Sequence, residues 1–278
     1  MRVLAVENRP FHDIPYETVC KRGWRAPARL PLVRGTVDSL PAGVDALVCA
    51  GDLQGREKAS NGGVACPRLL GAALVDELGR LSEAAKVPPL ARVGVALTGD
   101  LYIRPQLDSR RDNGDVRCVW RAFAQRCAWV TGVAGNHDGF GRSPCALGLF
   151  RRERGVRYLD RDVTDVGGLR VAGLSGVIGD PRRVFRKSDE DFLASVTSML
   201  SWGADMLILH QGPNDEAGEF EGNRRIRECL AAGPSVFCVC GHSRWGEPLR
   251  ELRNGSQVLN VDGRVVLLVA AGADGRWR

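Results

Sequence analysis

The stretch that decides the fold is WVTGVAGNHD, residues 129–138. Its first six residues form an apolar run of strand type, and a glycine and three polar residues follow directly. The same order recurs in DALVCAGD (45–52), VGVALTGD (93–100), MLILH (206–210) and VFCVCGH (236–242). Since ligands bind beyond the carboxyl ends of strands in layered α/β folds, these strand ends predict one polar site at a shared edge.

Strand patterns and helical patterns alternate along the whole chain. Further strands are predicted at 2–7, 169–174, 257–260 and 264–269. Apolar spacings of three and four predict helices at 67–86, 115–126, 188–202 and 222–232. This alternation predicts an α/β layered fold, and the strand-after-strand order from about residue 236 argues against an all-parallel sheet. No linker, charge run or internal repeat divides the chain, so we expect one domain over residues 1–278.

The composition is that of a globular protein with a large core, with 44% hydrophobic and 26% charged residues among 278. No apolar stretch approaches membrane-spanning length, and the N-terminus has no secretory pattern. The nine cysteines are scattered without a CxxC pair, which favours a reducing cytoplasm. The net charge of +6, mostly arginine, suits a phosphate-bearing partner, but an arginine-rich composition explains it equally well. Nucleic-acid binding and the oligomeric state therefore stay open.

Three of the four histidines lie at the predicted strand ends, together with two Gly-Asp pairs. The polar set is Asp52, Asp100, Asn136, His137, His210 and His242. A glycine precedes four of these positions, and we expect it to allow a sharp turn there. A single such histidine is more often a core residue, but carboxylate, amide and imidazole groups together predict a divalent metal such as Mn²⁺, Fe²⁺ or Zn²⁺. The absence of thiolates argues against a structural zinc site.

The motifs, taken in order, resemble those of the calcineurin-like metallophosphoesterase family, which are DxH, GD, GNH[DE], H and GHxH. Here they read Asp52-Leu53-Gln54, Gly99-Asp100, Gly135-Asn136-His137-Asp138, His210 and Gly241-His242-Ser243-Arg244. We assign Asp100 to the GD motif because the interval from 100 to 136 has room for one helix and one strand. The other register would need a first motif in RVLAVENRP, which contains no aspartate. The resemblance covers residues 45 to about 265 and implies a four-layer α/β/β/α sandwich with two mixed sheets and a two-metal site.

The resemblance also implies a role for each matching residue. Asp100 would bridge the two ions, and the other ligands would be Asp52 on the first ion and Asn136, His210 and His242 on the second. His137 would protonate the leaving oxygen, and Asp138 would orient it by hydrogen bonding. Two metal ions about 3.5–4 Å apart can generate a hydroxide and clamp the phosphoryl oxygens during in-line displacement.

Two positions depart from the family pattern, and both correspond to ligands of the first metal ion. Gln54 and Arg244 each stand where the family usually has histidine. A glutamine carbonyl can bind a hard metal, and a branch of the family that acts on nucleotide-diphosphate compounds resembles this DxQ pattern. A guanidinium stays protonated and cannot be a ligand. We therefore expect one or two ions per chain, Mn²⁺ before Fe²⁺, Zn²⁺ or Mg²⁺. The first ion would bind weakly, prefer Mn²⁺ or Mg²⁺, or be absent, with Arg244 then facing the phosphate in its place.

The leading interpretation is a metal-dependent hydrolase of phosphoester bonds, namely a phosphomonoesterase, a phosphodiesterase or a nucleotide pyrophosphatase. Two alternatives stay open: a scaffold that kept the fold and lost hydrolysis, and a nuclease for single-stranded nucleic acid, which only the positive charge supports. Further substrate contacts are predicted at Arg56, Arg104, Arg110 and Arg111, where a solvated loop is the alternative. Asn223 is predicted as a helix cap, and residues 1–44 carry no chemical signal.

Overall fold

Strands make up most of the regular structure in the computed structural model, which describes residues 1–20, 23–58, 67–109 and 112–272. In chain order, the strands are β1 (Val3–Val6), β2 (His12–Val19), β3 (Arg25–Val37), β4 (Ala46–Ala50), β5 (Arg56–Glu57), β6 (Val93–Leu97), β7 (Gly114–Asp115), β8 (Trp129–Gly132), β9 (Asp138–Gly139), β10 (Val156–Tyr158), β11 (Asp162–Val166), β12 (Leu169–Leu174), β13 (Val177–Ile178), β14 (Arg186–Lys187), β15 (Met206–Gln211), β16 (Phe237–Gly241), β17 (Leu249–Glu251), β18 (Gln257–Asn260) and β19 (Val265–Ala270). The helices are α1 (Leu70–Glu83), α2 (Arg117–Arg126), α3 (Ala146–Phe150), α4 (Asp189–Ser201) and α5 (Arg224–Ala232), with a 3₁₀ turn at Leu90–Arg92.

Two large mixed sheets organise these elements. The first follows the order β10-β8-β6-β4-β19-β3-β2-β5, with β1 also paired to β3, and the second follows β11-β12-β15-β16-β18-β17. Strands β4, β6, β8 and β10 run parallel, whereas β19 is antiparallel to β4. In the second sheet β12, β15, β16 and β18 run parallel between antiparallel edge strands. The fold is therefore mixed α/β, as the sequence predicts. The strands that precede the predicted polar residues, called the site-bearing strands below, are β4, β6 and β8 in the first sheet and β15 and β16 in the second, and those of each sheet end at a common edge.

The apolar residues of these elements form three clusters. One lies between the first sheet and helices α1 and α2, and includes Leu74 and Trp120. Another joins side chains from both sheets, such as Leu47 of β4 and Ile208 of β15. The last contains α4, α5 and the other face of the second sheet, including Phe192. Each site-bearing strand is thus buried on both faces, which explains why these strands read as continuous apolar runs.

The predicted strands and helices all form, with boundaries shifted by a few residues at most. Asn223 is the N-cap of α5, as predicted, because its Oδ1 accepts hydrogen bonds from the amides of Arg225 and Ile226 at 2.9 and 3.1 Å. None of the helices in the described part of the chain has the length and apolarity needed to cross a membrane.

The N-terminal segment contributes more structure than the sequence indicated. Beyond the predicted strand at 2–7, the hairpin of β2 and β3 extends the first sheet, and β3 pairs in parallel with β19. Pro15, Pro27 and Pro31 lie inside these strands, where a proline cannot donate a hydrogen bond to its neighbour. Because proline is rare inside strands, these residues hide the strand pattern of β2 and β3 from a prediction based on the sequence.

Candidate metal centre

The polar residues predicted at strand ends come together at one edge of the two sheets. Asp52 and Asp100 follow β4 and β6 in the first sheet, and the amide of Asp52 donates to the carbonyl of Gly99 at 2.8 Å. Asn136 and His137 follow β8 in that sheet. The second sheet supplies His210 within β15 and His242 directly after β16. Parallel strands with adjacent carboxyl ends therefore assemble the site, as expected.

The backbone at this edge differs from the expected glycine turns. Gly99 has a φ of 91°, but the other left-handed residues are polar: Asp52, Asp100 and His242, with φ of 52°, 53° and 70°. Such strained conformations cluster at functional sites. Gly135 is needed for close approach instead, because a Cβ there would lie 2.0 Å from Asp100 Oδ1. The expectation that each preceding glycine makes the turn holds for Gly99 only.

Asp100, His210 and His242 form a potential metal-binding triad. One ligand atom from each lies within 4.8 Å of the other two. Asp100 Oδ2 is 3.4 Å from His210 Nε2, while its Oδ1 accepts the backbone amide of His137 at 2.8 Å. The ring centroids of the two histidines are 5.0 Å apart. The carboxylate predicted to bridge the centre is therefore fixed between both sheets.

Several buried atoms at the triad have no hydrogen-bond partner among the described residues, and Asn136 Oδ1 and His210 Nε2 are two of them. The other ring nitrogen of His210, Nδ1, lies 2.8 Å from the carbonyl oxygen of Thr98, which makes Nδ1 the protonated nitrogen. Nε2 then faces the centre and Asp100 Oδ2, and it would bind a cation in exchange for a proton, in the orientation typical of metal-binding histidines. Buried polar atoms are costly to leave unpaired, so this donor set fits a divalent cation.

The charges of the triad depend on one another. Burial favours the neutral form of His210, but the negative charges of Asp100 and Asp52 outweigh it and raise its pKa to about 10. Burial likewise opposes ionisation of Asp100, yet the charge of His210 lowers the pKa of Asp100 to about 2. Desolvation, and then the charge of His210, lower the pKa of His242 to about 4, which leaves its imidazole neutral and able to bind a metal.

Asp138 does not hold the position that the resemblance implied. Its Oδ2 accepts the amides of Asp100 and Gly135 at 3.0 and 2.9 Å, and its Oδ1 accepts the amide of Leu101 at 2.8 Å. No described residue pairs with Nδ1 of His137, which is buried. Among the described residues no hydrogen bond joins His137 to the carboxylate of Asp138, which instead accepts three backbone amides. Asp138 links the two loops that carry Asp100 and Asn136.

An aspartate that the sequence reasoning missed, Asp262, lies beside Asp52. Asp262 follows β18 and forms a backbone bridge with Gly51, the neighbour of Asp52. Burial and then the charge of Asp262 raise the pKa of Asp52, whose Oδ2 accepts the amide of His242 at 2.9 Å. No described residue donates a hydrogen bond to the carboxylate of Asp262. An aspartate just beyond a strand was the same signal that identified Asp52, but VDG lacks the preceding glycine.

Gln54 and Arg244, the two departures from the family pattern, lie in different surroundings. Gln54 Nε2 is buried without a described partner, while the main-chain oxygen of Gln54 accepts Thr18 Oγ1 at 2.6 Å. Arg244 is exposed, and its Nη1 lies 3.4 Å from the place where a Cβ on Gly263 would stand. Its charge opposes the rise that burial causes in the pKa of Asp262. Arg244 therefore lies beside Asp262, and its contact with substrate stays a prediction.

The positions of the other arginines predicted to contact substrate do not support that role. Arg56 is buried and donates to the carbonyl oxygens of Pro67 and Ile103 at 2.6 and 2.8 Å, which ties two loops together. Arg104 forms ion pairs with Asp108 and Asp112 at 3.7 and 3.5 Å. Arg110 and Arg111 lie outside the described residues.

A second residue that sequence reasoning missed is Asn113. Its Nδ2 donates to the carbonyl oxygen of Asn136 at 2.6 Å and lies 3.4 Å from that of Asp138. Asn113 thereby holds the loop that presents Asn136 and His137. It is a single polar residue in a loop, and no periodic or motif signal marks it in the sequence.

Comparisons with known proteins give a distant likeness. No family model matches this sequence. No curated protein matches it either. Among solved structures, the chain is similar to the crystal structure of phosphopantetheinyl hydrolase (PptH) from Mycobacterium tuberculosis, with a TM-score of 0.45 and 12% identity. That alignment covers 80% of this chain and 90% of the other.

Proposed function

We propose that this protein is a metal-dependent hydrolase of phosphoester bonds. The observation that carries the proposal is the buried set of unpaired ligand atoms around Asp100, where His210 Nε2 and Asn136 Oδ1 lack partners beside the neutral imidazole of His242. The order of the motifs along the chain supports the calcineurin-like family. The three apolar clusters are the packing that a four-layer α/β/β/α sandwich would produce.

The ligands divide between two positions. Asp100, Asn136, His210 and His242 would hold the second ion, with Asp100 shared. Asp52 and Gln54 would hold the first ion, and Asp262 supplies the ligand that Arg244 cannot provide. The donors are oxygen and imidazole nitrogen, which suits Mn²⁺ best, with Fe²⁺, Zn²⁺ and Mg²⁺ as alternatives. When bound, such ions lower the pKa of a coordinated water and neutralise the charge of a phosphoryl group.

The chain's own residues position the substrate and move the proton. His137 lies beside Asn136 and lines a cavity of about 260 Å³ next to the centre. Its imidazole donates the proton to the leaving oxygen as a general acid, a role worth about 10²–10⁴-fold in rate. The bond from its own amide to Asp100 and the bonds of Asn113 and Asp138 fix the loop in place of a direct carboxylate partner. The position of His137 is therefore fixed through the backbone of its loop.

The test is hydrolysis of p-nitrophenyl phosphate and bis-p-nitrophenyl phosphate by metal-stripped protein with added Mn²⁺, Mg²⁺ or Zn²⁺. We expect metal-dependent turnover of both esters, and the preferred ester separates a monoesterase from a diesterase. Because nitrophenolate leaves without protonation, the general acid is tested with an alkyl phosphate such as glycerol 2-phosphate, whose turnover His137→Ala should reduce about 10²–10⁴-fold while the bound Mn²⁺ per chain stays unchanged. Turnover of the alkyl phosphate by His137→Ala equal to that of the unmodified protein would refute the general-acid role.

The assignment of Asp262 needs a readout that does not depend on turnover. Asp262→Asn is expected to weaken one of two Mn²⁺ ions by at least about tenfold in equilibrium dialysis, since even outer partners of a ligand are worth 10–100-fold. The exposed Asp165→Asn serves as the matched control. If Asp262→Asn bound both ions as tightly as the control, Asp262 would not be a ligand. Absence of both metal binding and turnover in the unmodified protein would favour the scaffold alternative.

A further inference from the structure

Two adjoining cavities open beside the candidate metal centre. The smaller, of about 260 Å³, has Asn136 and His137 on one wall and Arg183 and Arg186 on another. The larger, of about 970 Å³, is lined in part by the rings of Tyr102, Phe140 and Phe185. Both cavities include Asn113 and Val184 in their walls, so the larger cavity lies next to the one that His137 lines.

The arginine segment, residues 176–187, is held in place at both ends. Its short strands β13 and β14 pair in parallel, and the amide of Ile178 donates to Gln211 Oε1 at 2.8 Å. Lys187 Nζ lies 2.9 Å from the carbonyl oxygen of Ser175 and 2.9 Å from Asp160 Oδ1. The arginines of this segment therefore face the cleft from an anchored backbone, which is a condition for a specific binding site.

The pairing of these arginines is uneven. Arg182 forms a bidentate pair with Asp180, at 3.0 Å from Nε to Oδ1 and 2.8 Å from Nη2 to Oδ2. Arg183 and Arg186 have no carboxylate within 4.0 Å among the described residues, although their charges contribute to lowering the pKa of Asp180 after the stronger effect of its bonds to Arg182. Many other arginines of this chain are ion-paired, including Arg117 at the larger cavity. Three arginines line the smaller cavity, and of these Arg183 and Arg186 keep their guanidinium donors available to a ligand.

We infer that Arg183 and Arg186 form a second anion subsite, separate from the metal centre. It binds a further phosphate group of a substrate whose scissile phosphoryl group lies at Asn136 and His137. The larger cavity takes the organic part, since its volume lies in the range of small-molecule sites and its rings offer apolar surface. The substrate class is accordingly an organic phosphoester of about nucleoside size with a second phosphate. This inference rests on the proposed function for the identity of the scissile group.

Binding measurements test the subsite without turnover. The variant Arg183→Gln/Arg186→Gln removes both charges, and Arg182→Gln is the matched control because Asp180 already pairs with that guanidinium. By calorimetry on the Mn²⁺-loaded protein, we expect the double variant to raise the Kd of inorganic pyrophosphate about 10–100-fold, as two charge-assisted contacts are lost. The Kd of inorganic phosphate should change less than about threefold, because a single phosphate binds at the metal centre. Equal effects on both anions, or no effect on either, would overturn the subsite.

A second variant tests the position of the subsite with little risk to folding. Val184 is 64% exposed and borders both cavities. Val184→Asp brings a negative charge into the cleft and should weaken pyrophosphate binding, whereas Val184→Asn should not. The same Kd for both variants would place the second phosphate elsewhere.

The role of the larger cavity is tested by comparing ADP with pyrophosphate. ADP carries an adenosine group and should bind at least about tenfold more tightly to the unmodified protein, given the apolar surface that the cavity offers. Equal Kd values would refute the assignment of this cavity. Charge-dependent binding without hydrolysis of any ester would refute the proposed function and keep the subsite. Hydrolysis of an ester, together with pyrophosphate binding that the variants leave unchanged, would support the proposed function and refute the subsite.

Discussion

Gly241→Ala should displace Asp52 without altering any ligand residue. Gly241 is buried at the end of β16, and its φ lies outside the left-handed region, so alanine suits the backbone. A Cβ there would lie 2.1 Å from Asp52 Oδ2 and 3.0 Å from Thr98 Oγ1. The carboxylate of Asp52 must therefore move and give up the amide of His242, which it accepts at 2.9 Å.

The magnitude follows from the lost bond and the crowding. A hydrogen bond to a charged group contributes about 1.5–3 kcal/mol, and an extra methyl in a packed site costs about 1–3 kcal/mol. The two overlap, because the movement of Asp52 relieves the crowding, and we expect about 2–3 kcal/mol in total. For a chain of this size that corresponds to a fall in Tm of about 3–5 °C. The affinity for one Mn²⁺ ion should fall at least about tenfold, since Asp52 is its ligand.

Thermal unfolding followed by circular dichroism and Mn²⁺ titration measure the two effects. Gly246→Ala is the matched control, because a Cβ there would meet only Phe220 Cε1, at an ordinary 3.5 Å. The reasoning would be refuted if Gly241→Ala melted within about 1 °C of this control and bound two ions with unchanged affinity. A loss of stability with metal binding intact would show that Asp52 is structural and not a ligand.

Three further perturbations test the cap, the core and the metal site. Asn223→Ala should cost about 0.5–2 kcal/mol by removing the cap of α5, with Asn223→Asp close to neutral, as measured by urea unfolding. Trp120→Ala should cost about 3–5 kcal/mol in the same assay, because the ring is fully buried against Phe150 and Tyr158, and a loss below 1 kcal/mol would contradict the packing. Mn²⁺ at 100 times its Kd should raise the free energy of unfolding by about 2.7 kcal/mol, and EDTA should reverse this; an unchanged midpoint would argue against a metal site in the folded state.

The strands that precede the site residues could be predicted because each is a short apolar run that ends at a polar residue. Strand β4 is buried on both faces and reads as an uninterrupted apolar run, and Asp52 marks its end. The N-terminal hairpin could not be recognised in this way, since prolines interrupt β2 and β3. Its pairing with β19 joins residues far apart in the sequence, and such contacts leave no local signal.

The grouping of Asp100, His210 and His242 was predictable from the sequence, but the contacts around these residues were not. Strand-end position brought Asp100 and His210 together as expected, but the partners of Asp138 depend on where two loops meet in space. Gly135 looked like a turn residue, and its actual constraint is the nearness of Asp100 Oδ1. Asp262 was missed because it precedes a glycine instead of following one. Distances between loops from different strands are a property of the assembled sheets, and no single stretch contains them.

The charges at the proposed first metal position indicate how Arg244, which stands where the family usually has histidine, fits together with Asp262. A histidine in place of Arg244 would be a neutral ligand. The chain has instead a cation at 244 and, beside it, an anion at Asp262, so the summed charge of the position is the same. The nearby Arg244 opposes the rise that burial causes in the pKa of Asp262 and so favours the ionised form that a metal requires. On this argument the two residues act as a pair, and Arg244→Gln should weaken Mn²⁺ binding even though Arg244 is not a ligand. If Arg244→Gln bound Mn²⁺ with unchanged affinity, Arg244 would not act together with Asp262 in metal binding.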